Sequence, residues 1–135
     1  MVMMTGKYLG QKRCEHTHTP SQSKIQTDAP VDNNGKGETF SPTDLVATAL
    51  GACMITVMGI YAEKNDMSIE GAKYEVTKKM KLTPRMIAEL EIKVSLPKNL
   101  TSEQRTTLEN IAHNCPVKLS LHPDVKIPLS FHYDV

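Results

Sequence analysis

The sequence predicts an α+β fold built on antiparallel sheet, and three observations carry that prediction. Strand-like segments come in runs and do not alternate strictly with helices. Residues 86–96 show clean period-two alternation, with Leu90, Ile92, Val94 and Leu96 on one side. A single apolar stretch opens at Ser41-Pro42 and continues to about Lys64.

The elements follow in order. Residues 5–18 mix Tyr8, Leu9 and threonines with charges, and residues 23–27 alternate. The intervening segment 19–23 has turn chemistry, so a hairpin is expected. Residues 28–40 are dense in Asp, Asn, Gly and Pro and read as a loop. Ser41 then suits a helix N-cap, Pro42 the first helical position and Asp44 the carboxylate of a capping box. Asp44 also favours the positive end of the helix dipole. The helix is apolar nearly all round until Glu63, which predicts burial on most faces. Asn65-Asp66 ends it. Residues 68–81 and 86–96, punctuated by Thr83-Pro84-Arg85, read as a long antiparallel hairpin. Ile69, Val76 and Met80 are its inward positions on the first strand. Thr101-Ser102-Glu103 opens a second helix with Leu108, Ile111 and Ala112 on one face, reaching Asn114-Cys115-Pro116. A short helical turn over 117–122 follows, and residues 126–135 close as a strand.

A chain of 135 residues fits one domain, 1–135. It has no Trp and 4% aromatic residues, so the core must rest on Leu, Ile, Val, Ala and the 8 Met residues. Such a chain gains burial by pairing with a copy of itself. The formal charge of +1, from 16 basic and 15 acidic residues, points away from nucleic-acid and membrane-surface partners. No segment is expected to reach the roughly 20 apolar residues of a membrane span. The opening residues lack the apolar region and cleavage site of a secretory signal. Three cysteines, Cys14, Cys53 and Cys115, do not form a secreted disulfide framework, which predicts a reducing, cytoplasmic setting.

Two cysteines stand out. Cys53 lies in a small-residue stretch, Ala49, Gly51, Ala52, where a ligand or another backbone can come close. It is either a small core hydrophobe or a thiolate supported by a nearby cation such as an arginine. Cys115 sits before Pro116 at a helix boundary, poised in a turn or buried as an end cap. Two cysteines, each near a helix, suit a peroxidatic and resolving pair. Cys14, His16 and His18 would share one face of a strand and form a conceivable metal edge. His122 is near enough in sequence to tune Cys115. Gly35-Lys36-Gly37 lacks the setting of a phosphate loop.

Taken together, Asp28-Ala29-Pro30, Gly35-Lys36-Gly37, Phe40-Ser41-Pro42-Thr43-Asp44-Leu45, Ala49-Leu50-Gly51-Ala52-Cys53 and Asn114-Cys115-Pro116-Val117 resemble the OsmC/Ohr family of osmotically inducible and organic hydroperoxide resistance proteins, on its small OsmC-like branch. The resemblance covers essentially the whole chain. It implies an OsmC-like α+β homodimer, with antiparallel sheets from both subunits wrapped around long central helices. It also implies that Cys53 attacks a hydroperoxide and that Cys115 resolves the sulfenic acid to a disulfide. A dithiol reductant, of lipoyl type, would reset the pair. Arg13 is the candidate cation and Asp44 the candidate carboxylate; the organic-hydroperoxide branch carries a Glu where this chain has Thr43. No cofactor and no metal are implied. A thiol peroxidase for organic hydroperoxides is therefore the leading expectation. A small-molecule binding protein with little turnover is the alternative, and a metal site at Cys14, His16 and His18 comes third.

Overall fold

Gly10, Gln11 and Lys12 all take the left-handed backbone conformation, with φ of 88°, 51° and 63°. That turn splits the first extended segment into two strands. In the computed structural model, which describes all 135 residues, the chain forms two compact units, Met1–Val46 and Ala47–Val135.

The first unit contains an antiparallel meander of β1 (Met4–Gly10), β2 (Arg13–His18) and β3 (Ser23–Asp28). The expected hairpin is there, at the turn before Ser23, but a second one precedes it. Sequence gave no warning, because Gln11 and Lys12 are not turn formers and only Gly10 is at home in that region. The β2–β3 register sets Arg13 opposite Asp28 and Cys14 opposite Thr27. Much of the sheet is exposed, and the buried residues of this unit, Thr27, Asp28 and Ser41, are all polar. After β3 the chain makes a 3-10 turn, Val31–Asn33, with Asn34 left-handed at φ 63°. Gly35 is required here: a Cβ would overlap the carbonyl of Ala29. Ser41 and Asp44 then close the reciprocal cap that the sequence predicts. Asp44 N–H donates to Ser41 Oγ at 3.1 Å, and Ser41 N–H donates to Asp44 Oδ2 at 2.9 Å.

From this cap runs α1 (Pro42–Lys64). The second unit adds β4 (Lys73–Leu82), β5 (Arg85–Leu96), α2 (Ser102–His113), α3 (Pro116–Ser120) and β6 (Leu129–Tyr133). β4 and β5 form the expected antiparallel hairpin, although β4 begins at Lys73 because Gly71, at φ 86°, turns the chain before it. The sheet is not antiparallel throughout. β6 pairs with β5 in parallel, Ile92 opposite Leu129 and Leu96 opposite Tyr133. Two helices separate these strands, so the chain crosses over instead of turning back. Thr101 caps α2, accepting from Gln104 N–H at 3.2 Å while Gln104 Oε1 accepts from Thr101 N–H at 2.9 Å.

The core gathers Ala47, Leu50, Met54, Met58 and Ala62 of α1, Leu90, Ile92, Val94 and Leu96 of β5, and Leu108 and Ala112 of α2. Each buried Leu, Ile or Met side chain contributes roughly 1.5–3 kcal/mol. One expectation for α1 needs correction. Within the single chain the helix is buried along one stripe, with Ala49, Ala52, Thr56 and Ile60 exposed, because one chain supplies cover for one face. By length and composition it is also apolar enough to cross a membrane, contrary to the expectation that no segment would be. Between Asp44 and Glu63 it carries no charge, and its fully buried Leu50, Met54 and Met58 show where that apolarity is used. At the C-terminal end, Arg105 lies 4.0 Å over the Tyr133 ring and donates from Nε to the Leu100 carbonyl, and the Tyr133 hydroxyl donates to Glu109, tying β6 to α2.

β4 approaches α1 through Tyr74, whose hydroxyl donates to the Thr48 carbonyl at 3.3 Å. A Cβ on Gly51 would overlap the Tyr74 ring, including its Cγ, which a swing of the ring alone cannot clear. Gly51→Ala is therefore expected to destabilise the protein by about 1–3 kcal/mol, despite the roughly 1 kcal/mol that alanine gains in a helix. Urea unfolding midpoints check this; a stabilised variant would contradict the packing.

Candidate active site

Cys53 sits in the middle of α1, one residue before the fully buried Met54 and one after the exposed Ala52. It is half-buried and packs against the edge of the core. Cys115 lies between α2 and α3, fully buried, in extended backbone with φ −65° and ψ 143°. Its sulfur caps α3, accepting from Lys118 N–H at 3.4 Å. Pro116 occupies the first helical position, where its missing N–H costs nothing.

Cys53 is the neighbouring thiol that bears on the ionisation of Cys115, and both cysteines are free. Burial pushes the Cys115 thiol above the ordinary cysteine range. The Lys118 amide pulls the other way, the neighbouring Cys53 raises it further, and the Val117 amide lowers it. Cys115 is thus held as a neutral thiol to higher pH than a free cysteine. Its partner is the more open of the two sulfurs. Two neighbouring thiols, one open and one buried, are the elements of a dithiol–disulfide couple.

Arg13 is anchored within the first unit. Its Nε and Nη2 donate to Asp28 Oδ1 and Oδ2 at 2.8 and 2.9 Å, and Nη2 also donates to Glu38 Oε2 at 2.8 Å. Asp28 Oδ2 accepts the Glu38 N–H as well, at 3.1 Å, so the loop that carries Glu38 is locked to the same carboxylate. The bidentate pair keeps Arg13 charged and holds the Asp28 carboxyl below its usual range. These two carboxylates were not among the residues singled out from sequence. Asp28 would have emerged from the β2–β3 register, which sets it directly opposite Arg13. Asp44, the carboxylate that was singled out, serves the helix cap with one oxygen.

Other candidates are placed elsewhere. His16 Nε2 pairs with Thr27 Oγ1 at 2.8 Å and His18 Nδ1 with Ser21 Oγ at 2.6 Å. No three His, Cys, Asp or Glu side chains gather as a metal site, so the Cys14, His16 and His18 edge gains no support. His122 Nδ1 accepts the Asp124 N–H at 3.1 Å.

An α+β chain with one thiol on its core helix and a second at a helix cap defines a structural class. Comparison with known sequences and structures narrows the class. The pattern of the OsmC-like protein family matches residues 35–130, and the chain belongs to that family. A crystal structure from Psychrobacter arcticus, of a protein provisionally described as an osmotic stress induced and detoxification response protein, is 42% identical. It superposes with a TM-score of 0.93 over 98% of this chain and 96% of that one. An organic hydroperoxide resistance protein OsmC from Legionella pneumophila shares the fold at 19% identity and a TM-score of 0.74, over 98% and 96% of the two chains. So does an organic hydroperoxide resistance protein from Elizabethkingia anophelis, at 14% identity and a TM-score of 0.77, over 99% and 96%. No curated protein sequence matches.

The Arg13–Asp28 pair predicts the acid limb of stability. Asp28 ionises near 3.8 when unfolded and lower when folded. Its stabilisation is therefore complete above the unfolded value and is lost as pH falls through the folded one. Urea midpoints measured between about pH 2 and pH 6 should rise with pH, and Asp28→Asn should flatten that rise by about one proton. An unchanged slope would show that the pair is not coupled to folding.

Proposed function

We propose that this chain is a thiol-dependent peroxidase that reduces organic hydroperoxides in defence against oxidative stress. What supports the reading is the nearness of the Cys53 and Cys115 thiols in a chain of the OsmC-like family. The Cys53 thiolate attacks the terminal oxygen of ROOH. The O–O bond breaks, ROH leaves with a proton, and Cys53 becomes a sulfenic acid. The Cys115 thiol attacks that sulfur, the S–O bond breaks, and water leaves as the disulfide forms. A dithiol reductant, of lipoyl type by family resemblance, returns two electrons and two protons. Cys53 is the more open sulfur, which suits the nucleophile, and the buried Cys115 suits the resolving partner.

By the same resemblance Arg13 supplies the cation for the thiolate, with Asp28 and Glu38 holding its guanidinium. Asp44 keeps its place as the acidic residue at the start of α1. The chain acts as one OsmC-like domain, 1–135, in a cytoplasmic homodimer. The apolar face that α1 leaves exposed, Ala49, Ala52 and Ile60, is what a second copy would cover. The competing reading is a binding protein with little turnover. Thr43 favours it, because its hydroxyl meets Ser41 Oγ at 3.2 Å where the hydroperoxide branch has a carboxylate.

A stoichiometric pulse of cumene hydroperoxide on reduced protein, followed by peptide mapping of its thiols, separates the two. The expected product is a Cys53–Cys115 disulfide that Cys53→Ser abolishes. Cys115→Ser should complete one turnover and stop with Cys53 oxidised. Thiols left unreacted in folded protein would sink the peroxidase assignment and favour ligand binding.

A further inference from the structure

Cys115 holds two positions at once in the reduced chain. Its thiol neighbours Cys53, and the same sulfur caps α3. The Lys118 N–H donates to it at 3.4 Å. This is a donor that a helix start leaves without an intrahelical partner. Beyond this cap, α3 is held by Val117, which packs against the core, and by the Leu119 N–H on the Cys115 carbonyl. It has five residues and buries none of them, and so short a helix does not persist on propensity alone.

The two sulfurs are mounted differently. Cys53 is fixed in a 23-residue helix whose Leu50 and Met54 are fully buried. Cys115 precedes a single helical turn. Forming a bond brings the sulfurs to about 2.05 Å. The lighter mount is that of Cys115, so closure bears on its 3.4 Å cap from the Lys118 N–H.

We propose that α3 is a redox-responsive element, capped by the Cys115 sulfur when the pair is reduced and uncapped when the Cys53–Cys115 disulfide closes. The inference rests on the two-cysteine reading and adds a structural signal to it. Closure removes two electrons and two protons from the thiols, taken up by the hydroperoxide, which leaves as alcohol and water. A dithiol reductant returns them and restores the cap. Leu119, already 69% exposed, rides on the element that loosens. The oxidised protein therefore presents a different surface beside the disulfide that its reductant must reach.

Rapid-mixing hydrogen exchange at the Val117–Ser120 amides tests this on the full chain. Diamide, which accepts two electrons and two protons to become a hydrazine, is used as oxidant so that the result does not depend on peroxidase activity. The expected result is Lys118 exchange faster by roughly five-fold or more in the disulfide form, with β5 amides unchanged. Cys53→Ser should stay slow after diamide. Cys115→Ser should stay slow throughout, since a serine hydroxyl also caps. An unchanged Lys118 rate in protein whose Cys53–Cys115 disulfide is verified by peptide mapping overturns the proposal, as does failure of diamide to form that bond. Loosening with diamide but no reaction with cumene hydroperoxide would leave the switch standing and remove the peroxidase function.

Discussion

The second unit depends on one packing relation, the stripe of Leu50, Met54 and Met58 on α1 in a common core with Leu90, Ile92, Val94 and Leu96 on β5. A helix presents its side chains all round, and a single sheet with one short helix covers only part of that circumference. Every other residue on α1 is placed by this constraint. Cys53 falls at the margin of the buried stripe, half-buried on a firmly packed helix. With no tryptophan and few aromatics available, methionines fill the centre, where their flexible thioethers adapt to irregular space. The same geometry leaves Ala49, Ala52 and Ile60 uncovered.

The first unit is organised on a different principle. It buries no large apolar side chain, and its interior positions are Thr27, Asp28 and Ser41. What orders it is directional bonding: the Arg13 fork on Asp28, the Glu38 amide on the same carboxylate, and the Ser41–Asp44 cap. Charge-assisted bonds of this kind are shorter and stronger than neutral ones. They fix geometry closely while contributing little hydrophobic burial.

How much of this was legible in the sequence varied with how local the determinant was. The start of α1 could be read residue by residue because Ser41, Pro42 and Asp44 act within one turn. Leu90 to Leu96 could be assigned inward because alternation is intrinsic to a strand. The split at Gly10–Lys12 could not, since Gln11 and Lys12 adopt a conformation their side chains do not advertise. The parallel pairing of β6 was hidden because strand direction depends on the path of two intervening helices. Among the site residues, Cys53 and Cys115 were visible as motifs. Their nearness to each other and the Arg13 carboxylates depend on long-range packing that no local pattern encodes.

The parallel β5–β6 pair has a consequence for the order in which the protein matures. Cys115 lies inside the crossover between those strands, and β6 is the last element of the chain. Long-range parallel pairing forms late, because loop closure must precede any gain in contacts. Docking of β6 therefore closes the crossover that holds Cys115 after the local β4–β5 hairpin has formed.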